Sequence, residues 1–248
     1  MGKQGWRWLV MFCCGLLLPT TAGAGTLTVA ADSSFALPLK ELATRFEREQ
    51  GIRVAMVVEA GNALAARIAK RGGYDLFLAA DVAGPARLRK SGLCEEPFPY
   101  ATGELVLWIS QDLEPATDWQ AALRVHGRER LAIANPSNAS CGLAAREALV
   151  KAGVWEWVAS RVVYAQNAGQ AFQFAYQGSA GLALVPLSYA LSEKGREGVH
   201  YAVPEAAPLA QHGCVVRRSK KKGLAERFRQ FLAGEAGRAV LERYGYGL

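Results

Sequence analysis

Histidine is scarce in this chain: three among 248 residues, His126, His200 and His212, with no His-Glu-x-x-His pair. Scattered singly, they offer no metal-ligand spacing and read as surface or structural residues. No Cys-x-x-Cys occurs, and no Gly/Lys loop that would cradle a phosphate chain. Gln177-Gly178-Ser179-Ala180-Gly181 lacks the Gly-x-Ser-x-Gly spacing of a nucleophile elbow. Asp32, Glu59 and Asp81 are expected near the cleft, and Asp81, at a strand end, reads as a local cap or pairing residue. These gaps leave no catalytic set and no cofactor motif, so the expectation is a protein that binds and is not an enzyme. There is no internal repeat, no low-complexity tract and no Gly/Ser-rich linker.

What is present begins with a leader. Lys3 and Arg7 precede an apolar run from Trp8 to Leu18, followed by Pro19 and the small residues Ala22-Gly23-Ala24. That order predicts a secretory signal peptide over 1–24, cleaved after Ala24. The apolar run is short for a membrane span, and Cys13-Cys14 comes too early for a lipoprotein site. No later run is long and apolar, so a soluble protein outside the cytoplasm is expected. The full chain carries net charge +7; loss of Lys3 and Arg7 leaves 27 basic against 22 acidic residues, or +5. A field this diffuse suits a small anion better than nucleic acid. Arg217 to Lys222 is the one dense basic run, and without interleaved aromatics it reads as a solvated turn before a helix. Three cysteines follow the leader: Cys94, Cys141 and Cys214. In an oxidising compartment two can pair, and the residues alone leave the pairing open.

The mature chain alternates strand and helix patterns. Thr26–Ala31 is apolar and short; Leu39, Leu42, Ala43 and Phe46 then repeat with helical spacing through Leu37–Glu49. Strands are predicted at 53–59, 75–80, 104–109, 131–134, 162–164, 181–185, 199–203 and 213–216, with Tyr100-Ala101-Thr102-Gly103 as a loop. Helices are predicted at 63–70, 85–91, 119–125, 143–152, 155–159 and 170–176, and from 223 to 244. Such alternation implies a mostly parallel sheet with helices on both faces. Two blocks, divided near Gly103, imply two lobes.

Four strand-to-helix turns carry small or polar residues: Asp32-Ser33-Ser34, Ala60-Gly61-Asn62, Ser140-Cys141-Gly142 and Asn167-Ala168-Gly169. Turns of this kind lie at the carboxyl ends of strands, where α/β sheets bind ligands. Two come from each lobe, so facing lobes would bring all four to one cleft. None contains Lys or Arg. An anion there would be held by hydroxyls, backbone N–H groups and helix N-termini, a shell suited to a compact tetrahedral dianion.

The chain resembles the periplasmic molybdate-binding proteins of ABC importers. The resemblance runs from Thr26 to Leu248. It rests on Leu27-Thr28-Val29-Ala30-Ala31-Asp32-Ser33-Ser34, Asp75-Leu76-Phe77-Leu78-Ala79-Ala80-Asp81 and Tyr100-Ala101-Thr102-Gly103-Glu104-Leu105-Val106-Leu107-Trp108. Ala132-Ile133-Ala134-Asn135-Pro136, Gln166-Asn167 with Gln170, and Arg243-Tyr244-Gly245-Tyr246 extend it. It implies an α/β, two-lobe type II periplasmic-binding fold, each lobe a doubly wound sheet flanked by helices. The implied lobes are 25–103 with a return at 213–248, and 104–212. It implies a hinge where strands cross near Glu104–Trp108 and Gly213–Val216, beside which Cys94 and Cys214 come close, and this favours their pairing. The implied ligand is molybdate, or tungstate, held by Ser34 with Ser33 in reserve, Gly61 or Asn62, Cys141 and Ala168, with Asn167 beside them. A permease and an ATPase are the implied partners of a periplasmic monomer with no cofactor. Two of the implied contact positions depart from the family: Gly61 stands where a serine hydroxyl is usual, and Cys141 where a small residue or Tyr is common. Pro186 replaces a residue that donates from its side chain in some members. The alternative these departures raise is a sensor or carrier for another anion or a thiol-seeking ligand.

Overall fold

The computed structural model describes residues 25–247, so the expected leader over 1–24 lies outside the described residues. In chain order the elements are β1 (Thr26–Asp32), α1 (Ala36–Gln50), β2 (Arg53–Glu59), α2 (Gly61–Lys70), β3 (Leu76–Ala79), α3 (Ala83–Lys90), β4 (Phe98–Gly103) and β5 (Leu105–Ile109). They continue with α4 (Trp119–Val125), β6 (Leu131–Ala134), α5 (Ser140–Lys151), α6 (Trp155–Val158), β7 (Val162–Ala165), α7 (Ala168–Tyr176), β8 (Leu182–Pro186) and α8 (Leu187–Ala190). The chain closes with β9 (Val199–Ala202), β10 (Leu209–Val215), α9 (Lys222–Ala233) and α10 (Glu235–Arg243). No helix among the described residues is long and apolar enough to cross a membrane.

Two five-stranded sheets result, ordered β2-β1-β3-β10-β4 and β7-β6-β8-β5-β9. Each forms the centre of one lobe. Their architecture repeats: β1 pairs in parallel with β2 and β3, as β6 does with β7 and β8. One strand of each sheet, beside a lobe crossing, runs the other way. β10 is antiparallel to β3 and β4, and β5 to β8 and β9. Four of the five strands in each sheet thus run the same way, as the alternation implied, and the fifth makes the sheet mixed. The cause is the route of the chain, which enters the second lobe directly from β4 into β5 and returns from β9 into β10 without a covering helix.

Three local expectations change. Tyr100–Gly103 is strand and not loop, paired with Leu209–Gln211. It lies at a sheet edge, where Pro99 is tolerated. The return crossing falls at Val203–Pro208, since β10 begins at Leu209. Gly213–Val215 sits inside the first sheet opposite Leu76–Leu78, away from any hinge. Sheet pairing likewise places Leu209–His212 in the first lobe, four residues ahead of the expected boundary. A disulfide joins Cys94 and Cys214, with Cα atoms 5.8 Å apart. Both residues are fully buried beside Leu64 and Phe77, so the bond fastens β10 within the first lobe and does not flank the crossings.

The helical stripe of α1 buries Leu39, Leu42, Ala43 and Phe46 against the first sheet. Phe46 meets Phe228 of α9 edge-on, with ring centroids 5.0 Å apart. Burying one such ring stabilises the lobe by roughly 1.5–3 kcal/mol. The C-terminal helices thus return to the lobe in which the chain began. The basic run before α9 is exposed, with Lys222 2.7 Å and Arg217 3.6 Å from Glu95 carboxylate oxygens.

Candidate oxyanion site

The three turns beyond β1 begin their helices earlier than periodicity suggests. α2 starts at Gly61, α5 at Ser140 and α7 at Ala168. Small residues carry no apolar signal, yet they suit a first turn packed tightly on a strand end. Gly142 shows why: a Cβ there would lie 2.1 Å from the Ala134 carbonyl oxygen. The turns therefore present helix N-termini, whose first N–H groups have no partner within the helix and carry partial positive charge.

The structure brings Ser33, Ser34, Gly61, Cys141 and Ala168 together, all buried. The Ala168 N–H, from the second lobe, donates to Ser33 Oγ at 3.1 Å. Tyr189 Oη donates to the Ser33 carbonyl at 2.7 Å, and Ser188 Oγ to the Ser34 carbonyl at 3.1 Å. Tyr246 Oη donates to that same Ser34 carbonyl at 2.6 Å. The carbonyls of the Ser33-Ser34 turn are thus held from α8 and from the chain's C-terminus. Phe35 anchors the turn below, its ring 4.9 Å from Tyr100 and 5.5 Å from Tyr246. Ser34 Oγ is buried and makes no close hydrogen bond, although the hydroxyl acts on the neighbouring Asp32 carboxylate and favours its charged form. An unpaired hydroxyl in a dry site costs about 1–3 kcal/mol.

Sequence reasoning set Asp32 in the first turn and near the cleft but gave it no role in the site. Asp32 is fully buried. Its Oδ1 accepts the Ser34 N–H at 2.8 Å, and its Oδ2 the Gly61 N–H at 2.7 Å. Burial pushes its carboxyl above the ordinary aspartate range, opposed by the Ser34 and Gly61 donors and aided by the charge of Asp81. Glycine at 61 makes room, since a Cβ would stand 3.0 Å from Oδ2. The legible half of the signal was local: an aspartate two residues before Ser34 accepts that residue's N–H as an Asx turn does. Gly61, 29 residues on, could not be read as its second partner.

The remaining expected residues divide. Cys141 is buried, and burial followed by the Asp32 charge pushes its thiol well above the ordinary range. Burial overrides the lowering a helix start can give, so the thiol stays protonated and gives no support to a thiol-seeking ligand. Asn167 caps α7, its Oδ1 accepting the Gln170 N–H at 3.0 Å. Asn62 is not part of the cluster: it is exposed, and its Oδ1 accepts from Arg87 at 3.0 Å. It latches the lobes instead, its N–H 3.4 Å from the Asn138 carbonyl and its Nδ2 3.3 Å from that of Ser137. A second latch runs from Ser140 Oγ to Asp81 Oδ2 at 2.6 Å. Asp81 also caps α3, its Oδ1 accepting the Gly84 N–H. Pro186 ends β8 and has no side-chain donor.

Two α/β lobes, joined by two strand crossings and closed over a buried shell of neutral donors, define a receptor that encloses a small solute. Among the described residues no cluster of His, Cys, Asp and Glu could hold a metal ion. Residues 27–247 match the family described as bacterial extracellular solute-binding protein, and the chain belongs to that family. Its members bind and release solutes and are not enzymes. The chain is 32% identical to the molybdate-binding protein ModA of Azotobacter vinelandii, over 94% of each chain. It is 30% identical to ModA of Rhodobacter capsulatus, over 94% of this chain and 91% of the relative. The solved structure of the Azotobacter vinelandii periplasmic molybdate-binding protein superposes with a TM-score of 0.82 at 28% identity, covering 90% of this chain and 99% of that one.

Proposed function

We propose that this protein captures molybdate, or the similar tungstate, in the periplasm and delivers it to the permease and ATPase of an ABC importer. The observation that carries the reading is Ser34. Its hydroxyl is buried without a close hydrogen bond amid helix N-termini from both lobes. A tetrahedral oxyanion accepts from such donors along several directions at once. The cluster's neutral donors and lack of Lys or Arg suit an ion that must later be released. Ser34 contributes its hydroxyl and N–H, and Gly61, Cys141 and Ala168 their N–H groups. Ser33 reaches the second lobe.

Capture follows from the fold. The lobes rotate about the crossings at Glu104 and Val203–Pro208, as hinged domains do. Closure forms the Asn62–Asn138 and Asp81–Ser140 latches and buries the ion. The importer then distinguishes the closed form from the open one, which ligand binding makes dominant. A monomer is the expected state of a receptor of this kind.

Calorimetric titration of the mature protein with molybdate, tungstate, sulfate, phosphate and chromate tests the reading. One saturable site for molybdate or tungstate, with sulfate and phosphate bound more weakly, is expected. A folded protein that gives no heat with any of the five contradicts it.

A further inference from the structure

The Asp32 carboxylate occupies the donors that a bound oxyanion needs. Its two oxygens take the Ser34 and Gly61 amides at 2.8 and 2.7 Å. Geometrically it is already an anion in an anion site, placed there by the chain itself. Ser34 Oγ lies beside it without a close hydrogen bond. Gly61 is matched to it, because any side chain at 61 would begin 3.0 Å from Oδ2. The missing serine at 61 and the aspartate at 32 are thus one feature and not two: a hydroxyl donor has been exchanged for an internal acceptor.

This has a consequence for an incoming dianion. The titratable groups facing Asp32 are Asp81 after β3, Cys141 of α5, Tyr189 of α8, Tyr100 of β4 and Tyr246 near the C-terminus. No lysine or arginine is among them. Burial holds the thiol and the three phenols in their neutral forms. Beyond the partial charge of the helix N-termini, none of these groups offers a full positive charge to offset a carboxylate set against a dianion. Like charges that close in a dry site cannot both stay ionised.

We propose that Asp32 makes oxyanion binding proton-coupled: it is an internal carboxylate that yields the Ser34 and Gly61 amides to the oxyanion and holds one proton against it in the complex. The inference rests on the oxyanion reading above. On binding, the proton comes from solvent to an Asp32 oxygen, and the resulting O–H donates to an oxyanion oxygen. No bond within the ligand breaks. A receptor built this way binds more tightly as pH falls.

The test is titration of the mature wild-type protein and Asp32→Asn with sodium molybdate, from about pH 5.5 to about pH 8.5, in two buffers of different ionisation heat. For the wild type, affinity is expected to fall by up to about tenfold per pH unit on the alkaline side, with up to one proton taken up per ion bound. Asp32→Asn is expected to bind about tenfold or more tighter than wild type at the alkaline end, with a flat profile and no proton uptake. A purely structural Asp32 would move neither the slope nor the proton count. Binding by the wild type with no pH slope and no proton uptake overturns the inference alone, as does the same slope in both proteins. If Asp32→Asn does not fold, the two-buffer comparison on the wild type decides by itself. If the folded wild type binds none of the five oxyanions, the oxyanion reading falls and this inference with it.

Discussion

The two lobes share a sheet plan but face the cleft with different chemistry. The first lobe brings side chains: the Asp32 carboxylate and the hydroxyls of Ser33 and Ser34, all buried. The second brings helix starts at Ser140 and Ala168, whose useful groups are backbone N–H. Its hydroxyls, Ser188 and Tyr189, hold the carbonyls of the first lobe's turn. The cysteines divide the same way, a disulfide in the first lobe and the buried free Cys141 in the second. On the oxyanion reading proposed above, the first lobe would carry identity-dependent recognition and the second closure. Substitutions should be costly in the first lobe's turn and tolerated in the second's where the backbone is undisturbed.

The largest test of that contrast is Phe35→Ala. Phe35 is fully buried between Tyr100 and Tyr246, so a loss of about 3–5 kcal/mol in urea unfolding is expected. Next is Ser34→Ala, which removes the unpaired hydroxyl and leaves the fold in place. Molybdate affinity should drop roughly 10- to 100-fold by calorimetry, the equivalent of about 1–3 kcal/mol, while thermal stability holds or rises. A smaller effect belongs to Asp32 without ligand. Its folded pKa is raised above 3.8, so its contribution is full below that value and is lost as pH rises towards the folded pKa. Urea unfolding should show the wild type losing up to about 1.4 kcal/mol per pH unit in that window relative to Asp32→Asn. Smallest is Cys141→Ala. On the proposed reading position 141 supplies only its N–H, so molybdate affinity should stay within about threefold; a larger loss would put side-chain recognition in the second lobe as well.

The alternation of strands and helices was legible because its periodicities are local. The apolar spacing of α1 and the β-branched run of β2 need no distant partner. β4 was not legible for the opposite reason. Its residues 99–103 are Pro-Tyr-Ala-Thr-Gly, and they become strand by pairing with Leu209–His212 and, at Thr102, with Gly247, all more than a hundred residues later. Gly103 is shaped by Tyr246, whose ring a Cβ at 103 would meet at 2.9 Å. The helix starts at Gly61, Ser140 and Ala168 were read late because small residues leave no periodic trace. The site divides likewise. The cluster of turns followed from the sheet's logic, but Asn62 looked like a ligand residue until Arg87 and the opposite lobe claimed its side chain. Asp32 looked incidental until Gly61 folded onto its second oxygen.

The most direct measurement is anomalous diffraction at the molybdenum absorption edge from crystals of the mature protein grown with molybdate. One peak is expected at the centre of the cluster, with oxyanion oxygens in hydrogen-bond contact with Ser34 Oγ and the amides of Gly61, Cys141 and Ala168. A molybdenum peak outside that cluster, with Asp32 still holding the Ser34 and Gly61 amides, would contradict the account.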